Sequence, residues 1–310
     1  MTRHAIGIAT LLVALAAASA IGFAQGQGGA PATTGVLAGT IDVHVHSYPD
    51  DRPRSIHAID VAKLAQTRGM RAIVLKNHWE STAGMAYLVR QVVPGIEVFG
   101  GIALNRTVGG INAAAVDHMA RVTGSFGRVV WMPTFDAENQ VRTSKESRPF
   151  VSVTKNGELL PDVRDVIAVI AKRDLVLATG HSAPREVLLI LREAKQLGVQ
   201  RMIVTHAMNT PVSMSVAEMQ EAAHLGAYIE FVGGSLTAAD AETRMNRYAD
   251  AIRQIGPEFC ILSSDLGQQG NALPPDGLGD FLVSLRRRGF TSQEVDRMAK
   301  QNPARLLGLP

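Results

Sequence analysis

Eight short apolar runs alternate with amphipathic helical stretches along nearly the whole chain, and few architectures accept that order. The runs are Thr40–His46, Arg71–Lys76, Ile96–Ala103, Arg128–Met132, Leu175–Gly180, Arg201–Thr205, Ala227–Phe231 and Phe259–Ser264. Between them, apolar residues recur at spacings of three and four over 58–68, 82–91, 111–122, 161–172, 184–197, 216–224 and 238–254, the period of a helix with one buried face. A final pair spans about 279–287 and 292–307. Strands alternating with helices form a parallel sheet, and eight such units close a (β/α)8 TIM barrel. The competing open doubly wound sheet lacks a Gly-x-Gly-x-x-Gly after its first strand, which its dinucleotide-binding version requires.

In such a barrel the C-terminal strand ends share one mouth, so the polar residues placed there matter most. Of nine histidines, five close apolar runs. His44 and His46 stand two apart in Asp42-Val43-His44-Val45-His46 and so face the same side of a strand. His78, His181 and His206 end runs two, five and six, and Asp265 ends run eight. Lys76 shares the strand phase of Val74 and His78. Imidazoles and a carboxylate without thiolates suit Zn²⁺ with an open position for water, and Mn²⁺ or Fe²⁺ less well. Asp265 is placed to bind metal and accept a proton from attacking water. His206, His78 or Lys76 could polarise a substrate oxygen or protonate a leaving group.

The pattern His-x-His on strand 1, His on strands 5 and 6, and Asp on strand 8 resembles the amidohydrolase superfamily of metal-dependent hydrolases. Its positions are matched by IDVHVH, ATGHS (His181), VTHAMN (His206) and SSDLG (Asp265). The closing Asn302-Pro303-Ala304-Arg305-Leu306-Leu307-Gly308-Leu309 is similar to the last helix of many members. The resemblance runs from about Gly39 to the C-terminus and implies hydrolysis of C–N, C–O or sometimes P–O bonds with one or two divalent ions, zinc foremost. Binuclear members carry a carboxylated Lys or a Glu on strand 4, which Val129–Thr134 lacks. Asp136, Glu138 or a carboxylated Lys76 are the candidates to bridge instead. Otherwise the site is mononuclear, with His44, His46, His181 and Asp265 as ligands and His206 free for acid–base work.

Secondary candidates surround this set. Asp42 shares a face with His44 and is expected to orient its imidazole, and Glu230 is expected either at the mouth or in an ion pair with an Arg. Trp79 could wall the pocket, and Gly233-Gly234-Ser235 could cradle phosphate. From Pro133 to Leu160 no helical period is visible. The middle, Arg142 to Arg148, is charged, and a hairpin is expected from Phe150–Thr154 turning at Asn156-Gly157. A loop of this length after strand 4 is expected to act as a lid or specificity element.

The ends and the bulk composition complete the expectation. Arg3 and His4 precede an apolar run, Ala5–Ala24, with small residues before a polar stretch. This is the form of a signal peptide cut after Ala24, followed by a flexible linker over 25–39 and the barrel over 40–310. The mature protein is then expected to be periplasmic or secreted, with no stable membrane anchor. Cys260 is the only cysteine, which rules out an internal disulfide. A net charge of +3 without a basic stripe gives no sign of nucleic-acid binding, and a homo-oligomer is compatible with the sequence. The expected activity is cleavage of an amide, cyclic amide or ester/lactone of a small molecule by metal-bound hydroxide. The alternatives are a phosphoester hydrolase, kept open by Arg106 and Lys76, and a non-catalytic exported metal- or ligand-binding protein.

Overall fold

All eight predicted strands form, in chain order, in one parallel sheet: β1 (Ile41–Val45), β2 (Ala72–Leu75), β3 (Glu97–Ala103), β4 (Gly127–Trp131), β5 (Val176–Ala178), β6 (Arg201–Val204), β7 (Ala227–Val232) and β8 (Cys260–Ser263). The structure, a computed structural model, describes residue 2 and residues 34–234 and 240–310. The predicted signal segment and Ser235 lie outside the described residues. Between β8 and β1 the seam is closed by two backbone bonds, Asp265 N–H to His44 O and His46 N–H to Leu266 O, each 2.9 Å. Gly267 makes this approach feasible, since its φ is +120° and a Cβ there would lie 1.9 Å from the His46 carbonyl oxygen. The result is the (β/α)8 barrel expected from the alternation.

Each strand leads to an outer helix: α1 (Ala58–Thr67), α2 (Ala83–Val92), α3 (Ala113–Arg121), α4 (Pro161–Lys172), α5 (Pro184–Gln196), α6 (Val216–His224), α7 (Ala241–Ile255) and α8 (Pro274–Arg287). Their apolar stripes, such as Val187, Leu188, Leu191 and Ala194 of α5, pack on the outward residues of the strands. The opposite strand faces fill the lumen: Ile41, Val43, Val74, Phe99, Val129, Val176, Ile203 and Ile261 form a separate apolar cluster. Leu306 and Leu307 complete that cluster and plug its lower end. Among the described residues no helix is long and apolar enough to cross a membrane.

Three local expectations change. The stretch expected as linker already contains a packed turn, Thr34–Leu37, with Leu37 fully buried. The predicted continuous helix 292–307 is interrupted by a widened π turn over Arg297–Gln301. Pro303 has no N–H to continue the α-helical ladder, and the turn widens just before it. The segment 133–160 is not structureless. It carries a six-residue helix, Glu138–Thr143, and a hairpin of Thr154–Lys155 with Glu158–Leu159. The hairpin turns at Asn156 and Gly157, whose φ values of 53° and 82° are those of a primed turn.

Candidate metal centre

The side chains singled out at the strand ends converge. His44 Nε2 and His46 Nε2 lie 3.0 and 3.1 Å from the same oxygen, Asp265 Oδ1. On the other side of the mouth His181 Nε2 and His206 Nε2 face each other at 3.1 Å. The His44 and His206 rings stack with centroids 6.1 Å apart, which joins the two groups. Lys76 Nζ reaches 2.9 Å from His44 Nε2, so the strand phase did carry Lys76 inward. His78 lines the same cleft, 4.9 Å from His46 ring to ring.

Local backbone conformation aims these groups. Asp265 and His206 have φ values of 48° and 28°, a left-handed region costly for residues with a Cβ and concentrated at functional sites. Asp265 is held there by its N–H bond to His44 O, while His206 N–H donates to Glu230 Oε2 at 2.8 Å. Gly180 allows the chain before His181 to cross β4 closely, because a Cβ there would meet Met132 O at 2.2 Å. His181 N–H then bonds Pro133 O at 2.9 Å.

Hydrogen bonds also decide which way the imidazoles turn. Glu230 Oε1 lies 3.1 Å from His44 Nδ1, and a carboxylate only accepts, so Nδ1 carries a proton there. Gln140 Oε1 lies 2.8 Å from His181 Nδ1 and fixes the same tautomer. Both histidines therefore turn Nε2 inward, the arrangement of a metal-binding imidazole oriented by an outer acceptor, and on His44 that nitrogen carries a proton towards Asp265 until a cation displaces it. His78 meets a hydroxyl instead. Asn105 Nδ2 donates to Thr134 Oγ1 at 2.7 Å, and that hydroxyl sits 2.9 Å from His78 Nδ1. A hydroxyl both donates and accepts, so this contact is compatible with a His78 that keeps Nε2–H towards the cleft.

Burial dominates the electrostatics. It pushes His46 down to about 3, His206 to about 4 and Lys76 to about 8, and takes His78 and His181 well below the ordinary imidazole value. His44 is the exception. Burial disfavours its charge, but Asp265 and Glu230 on either side outweigh this and lift it to about 9. Burial likewise opposes the two carboxylates, yet His44 holds Glu230 at about 2 and Asp265 well below its usual range. His46 Nδ1 and His206 Nδ1 are buried without a partner. Imidazole nitrogens and a carboxylate oxygen face one small volume, a set of donors that suits a divalent cation. The donor set fits such an ion, with His44, His46 and Asp265 mutually within 4.8 Å.

Several secondary expectations are corrected. Asp42 does not touch the His44 imidazole. Its Oδ1 accepts the backbone N–H of His44 at 3.1 Å and of Ser264 at 3.0 Å and so staples the seam. Glu230 orients that imidazole instead and pairs with no Arg; it is also bonded by Ser263 Oγ at 2.6 Å. Asp136 and Glu138 turn away from the cleft, to Arg148 at 2.6 Å and to Arg142 and Ser152, so neither bridges. Arg106 is exposed, and only its backbone enters a bond, to Asp136. Trp79 stacks on Phe135 with ring centroids 6.1 Å apart, behind the cleft wall. Gln140 was missed, because glutamine inside a charged loop carries no sequence signal.

Comparison with known proteins agrees with this arrangement. A family model, described as a family of unknown function (DUF6282), matches residues 39–230. The chain belongs to that family. The matched stretch contains the five cleft histidines, Lys76 and Glu230 but not Asp265. No protein of curated function matches the chain in sequence. Among solved structures it is similar to an amidohydrolase from Pseudomonas aeruginosa, with TM-score 0.61 and 11% identity over 89% of this chain and 98% of the other. It is also similar to a putative 2-pyrone-4,6-dicarboxylic acid hydrolase from Pseudomonas putida, with TM-score 0.59 and 15% identity over 88% and 98%. An organophosphorus hydrolase mutant from Deinococcus radiodurans gives TM-score 0.56 and 17% identity over 88% and 94%. At these identities the likeness is one of fold, and the fold is the (β/α)8 barrel expected from the sequence.

Proposed function

We propose that this protein is a metal-dependent hydrolase that cleaves an amide, cyclic amide or ester/lactone bond of a small molecule. The observation that carries the reading is the convergence of His44, His46, His181, His206 and Asp265 on one cleft, with His44 and His181 held so that Nε2 points inward. The hydrolases sharing the fold support it. The cleft, about 400 Å³, suits a small molecule. A divalent cation held there, zinc by its donor chemistry, would supply Lewis acidity and lower the pKa of water towards about 7.

The chain's own residues supply the rest. Asp265 is ionised and opens partly to the cleft, with 22% of its side chain exposed, so its carboxylate can take a proton from water during attack. His78, in the tautomer with Nε2–H, would donate to the substrate oxygen or leaving group. Glu230 and Gln140 hold His44 and His181 in one tautomer and orientation. With Asp136 and Glu138 turned away, Lys76 would be the residue to hold a second ion, as the carbamate its amine forms with carbon dioxide on releasing a proton. Burial, which lowers it to about 8, favours the neutral amine that this needs.

Plasma mass spectrometry of the dialysed protein, followed by hydrolysis assays on esters, lactones and amides, tests the reading. About two ions per chain, with activity restored to stripped protein by zinc, is the expected outcome if Lys76 bridges. About one ion would leave His206 free for proton transfer. No bound metal after zinc is added back would overturn the proposal.

A further inference from the structure

The substrate-facing wall of the cleft is charged unevenly. Three cationic side chains, Arg52, Arg54 and Lys76, line it together with one carboxylate, Asp265. Two of the three cations are committed. Arg54 is buried against Asp50, with Nε 2.7 Å from Oδ2, and only 3% of its side chain is exposed. Lys76 lies at the floor against His44. Arg52 is different: its side chain is 44% exposed, and its nearest carboxylate, the exposed Asp51, is 3.9 Å away.

Arg52 is nevertheless not loose. Its guanidinium lies 4.1 Å above the Phe135 ring centroid and 5.1 Å from that of Trp79, an orientation favoured by cation–π attraction. The loop that carries it is tied down on both sides. Arg54 forms an antiparallel bridge with Gln268, Ser55 N–H bonds Gly267 O at 2.8 Å, and Asn77 Nδ2 bonds Pro49 O at 2.7 Å. A planar five-donor fork, stacked on one face and held by a pinned loop, leaves its edge donors for a planar anion.

We propose that the substrate carries a carboxylate, bound by Arg52 at the mouth while the scissile amide, ester or lactone lies inward between His78 and Asp265. This rests on the hydrolase reading and narrows it to small organic acids. Arg52 is then the specificity residue. The stacked Phe135 and Trp79 hold its plane, and Arg54 with Asp50 anchors the loop that presents it.

The test compares zinc-loaded full-length protein with an Arg52→Gln variant on phenyl acetate, 3-acetoxybenzoate and 4-acetoxybenzoate, which share a scissile ester and differ in the carboxylate. Wild type is expected to favour an acetoxybenzoate by tenfold or more in kcat/KM, and Arg52→Gln to lose most of that preference through KM. Equal use of phenyl acetate by wild type, or a preference that persists undiminished in the variant, would overturn the carboxylate inference and leave the hydrolase reading standing. Calorimetric titration with benzoate and phthalate covers the case in which none of the esters turns over. Saturable binding lost in Arg52→Gln supports the inference, and absence of binding overturns it. Turnover of 4-nitrophenyl phosphate, with inorganic phosphate binding more tightly than benzoate, would assign the arginine to phosphoesters and overturn it as well.

Discussion

The two ends of the barrel lumen are built on opposite principles. At the lower end Ile41, Val43, Val74, Phe99 and Ile261 meet Leu306 and Leu307 in one apolar cluster, so stability comes from apolar burial and close packing. At the upper end, the same strands deliver imidazoles, an ammonium and two carboxylates into buried positions, with Asp265 and His206 in left-handed backbone. Burying such groups is costly unless they are paired. The difference teaches that the mouth is held in place by the floor and by the seam, and contributes little stability of its own. Substitutions at the two ends should therefore separate stability from chemistry.

The sharpest division comes from Asp265→Asn. It retains an Oδ1 acceptor but cannot take a proton, and hydrolysis should fall by about 10³-fold while the melting temperature holds or rises. A parallel fall in melting temperature would mean that the mouth supports the fold. At the other end, Leu306→Ala should cost about 2–5 kcal/mol in denaturant unfolding with metal stoichiometry unchanged in the folded fraction. Loss of metal from folded Leu306→Ala would show that the two ends are not independent.

Between these extremes lies the support of the ligands. Glu230→Gln keeps an acceptor for His206 N–H but removes the charge beneath His44, and zinc affinity should weaken about 10- to 100-fold by chelator competition. Affinity should also depend on pH with a defined sign. His44 holds a proton up to about pH 9 in the metal-free protein, so below that pH a cation must displace it, and affinity should rise about tenfold per unit from pH 6 to 8. His46 and His206, at about 3 and 4, add no further slope in that window. A flat profile would show that His44 is not a ligand. The smallest effect belongs to the seam. Asp42, raised to about 6 by burial, holds two backbone N–H groups through one oxygen, so Asp42→Asn should be nearly neutral. Asp42→Ala should lose about 1–3 kcal/mol, and equal losses would show that the charge itself is required.

Much of this could be read from the chain. Strand–helix alternation specified eight parallel strands because apolar period is a local property, and His-x-His, His181, His206 and Asp265 were visible because each ends such a run. The inward phase of Lys76 followed from its spacing to Val74. What could not be read depends on groups distant in sequence. That Glu230 rather than Asp42 orients His44 is decided by a register across the closed seam, 186 positions apart. The role of Gln140 depends on a short helix whose six residues are too few for a period to emerge.

By itself, then, the sequence determined the barrel and the inventory of donors at its mouth, since both follow from patterning along single elements. Only the tertiary structure decided which ring nitrogens of His44 and His181 meet an outer acceptor, which acids turn away from the cleft, and that Arg52 lies stacked and exposed at its rim. The first and the last depend on hydrogen bonds and stacking between different βα units, and the second on ion pairs within the folded loop after β4.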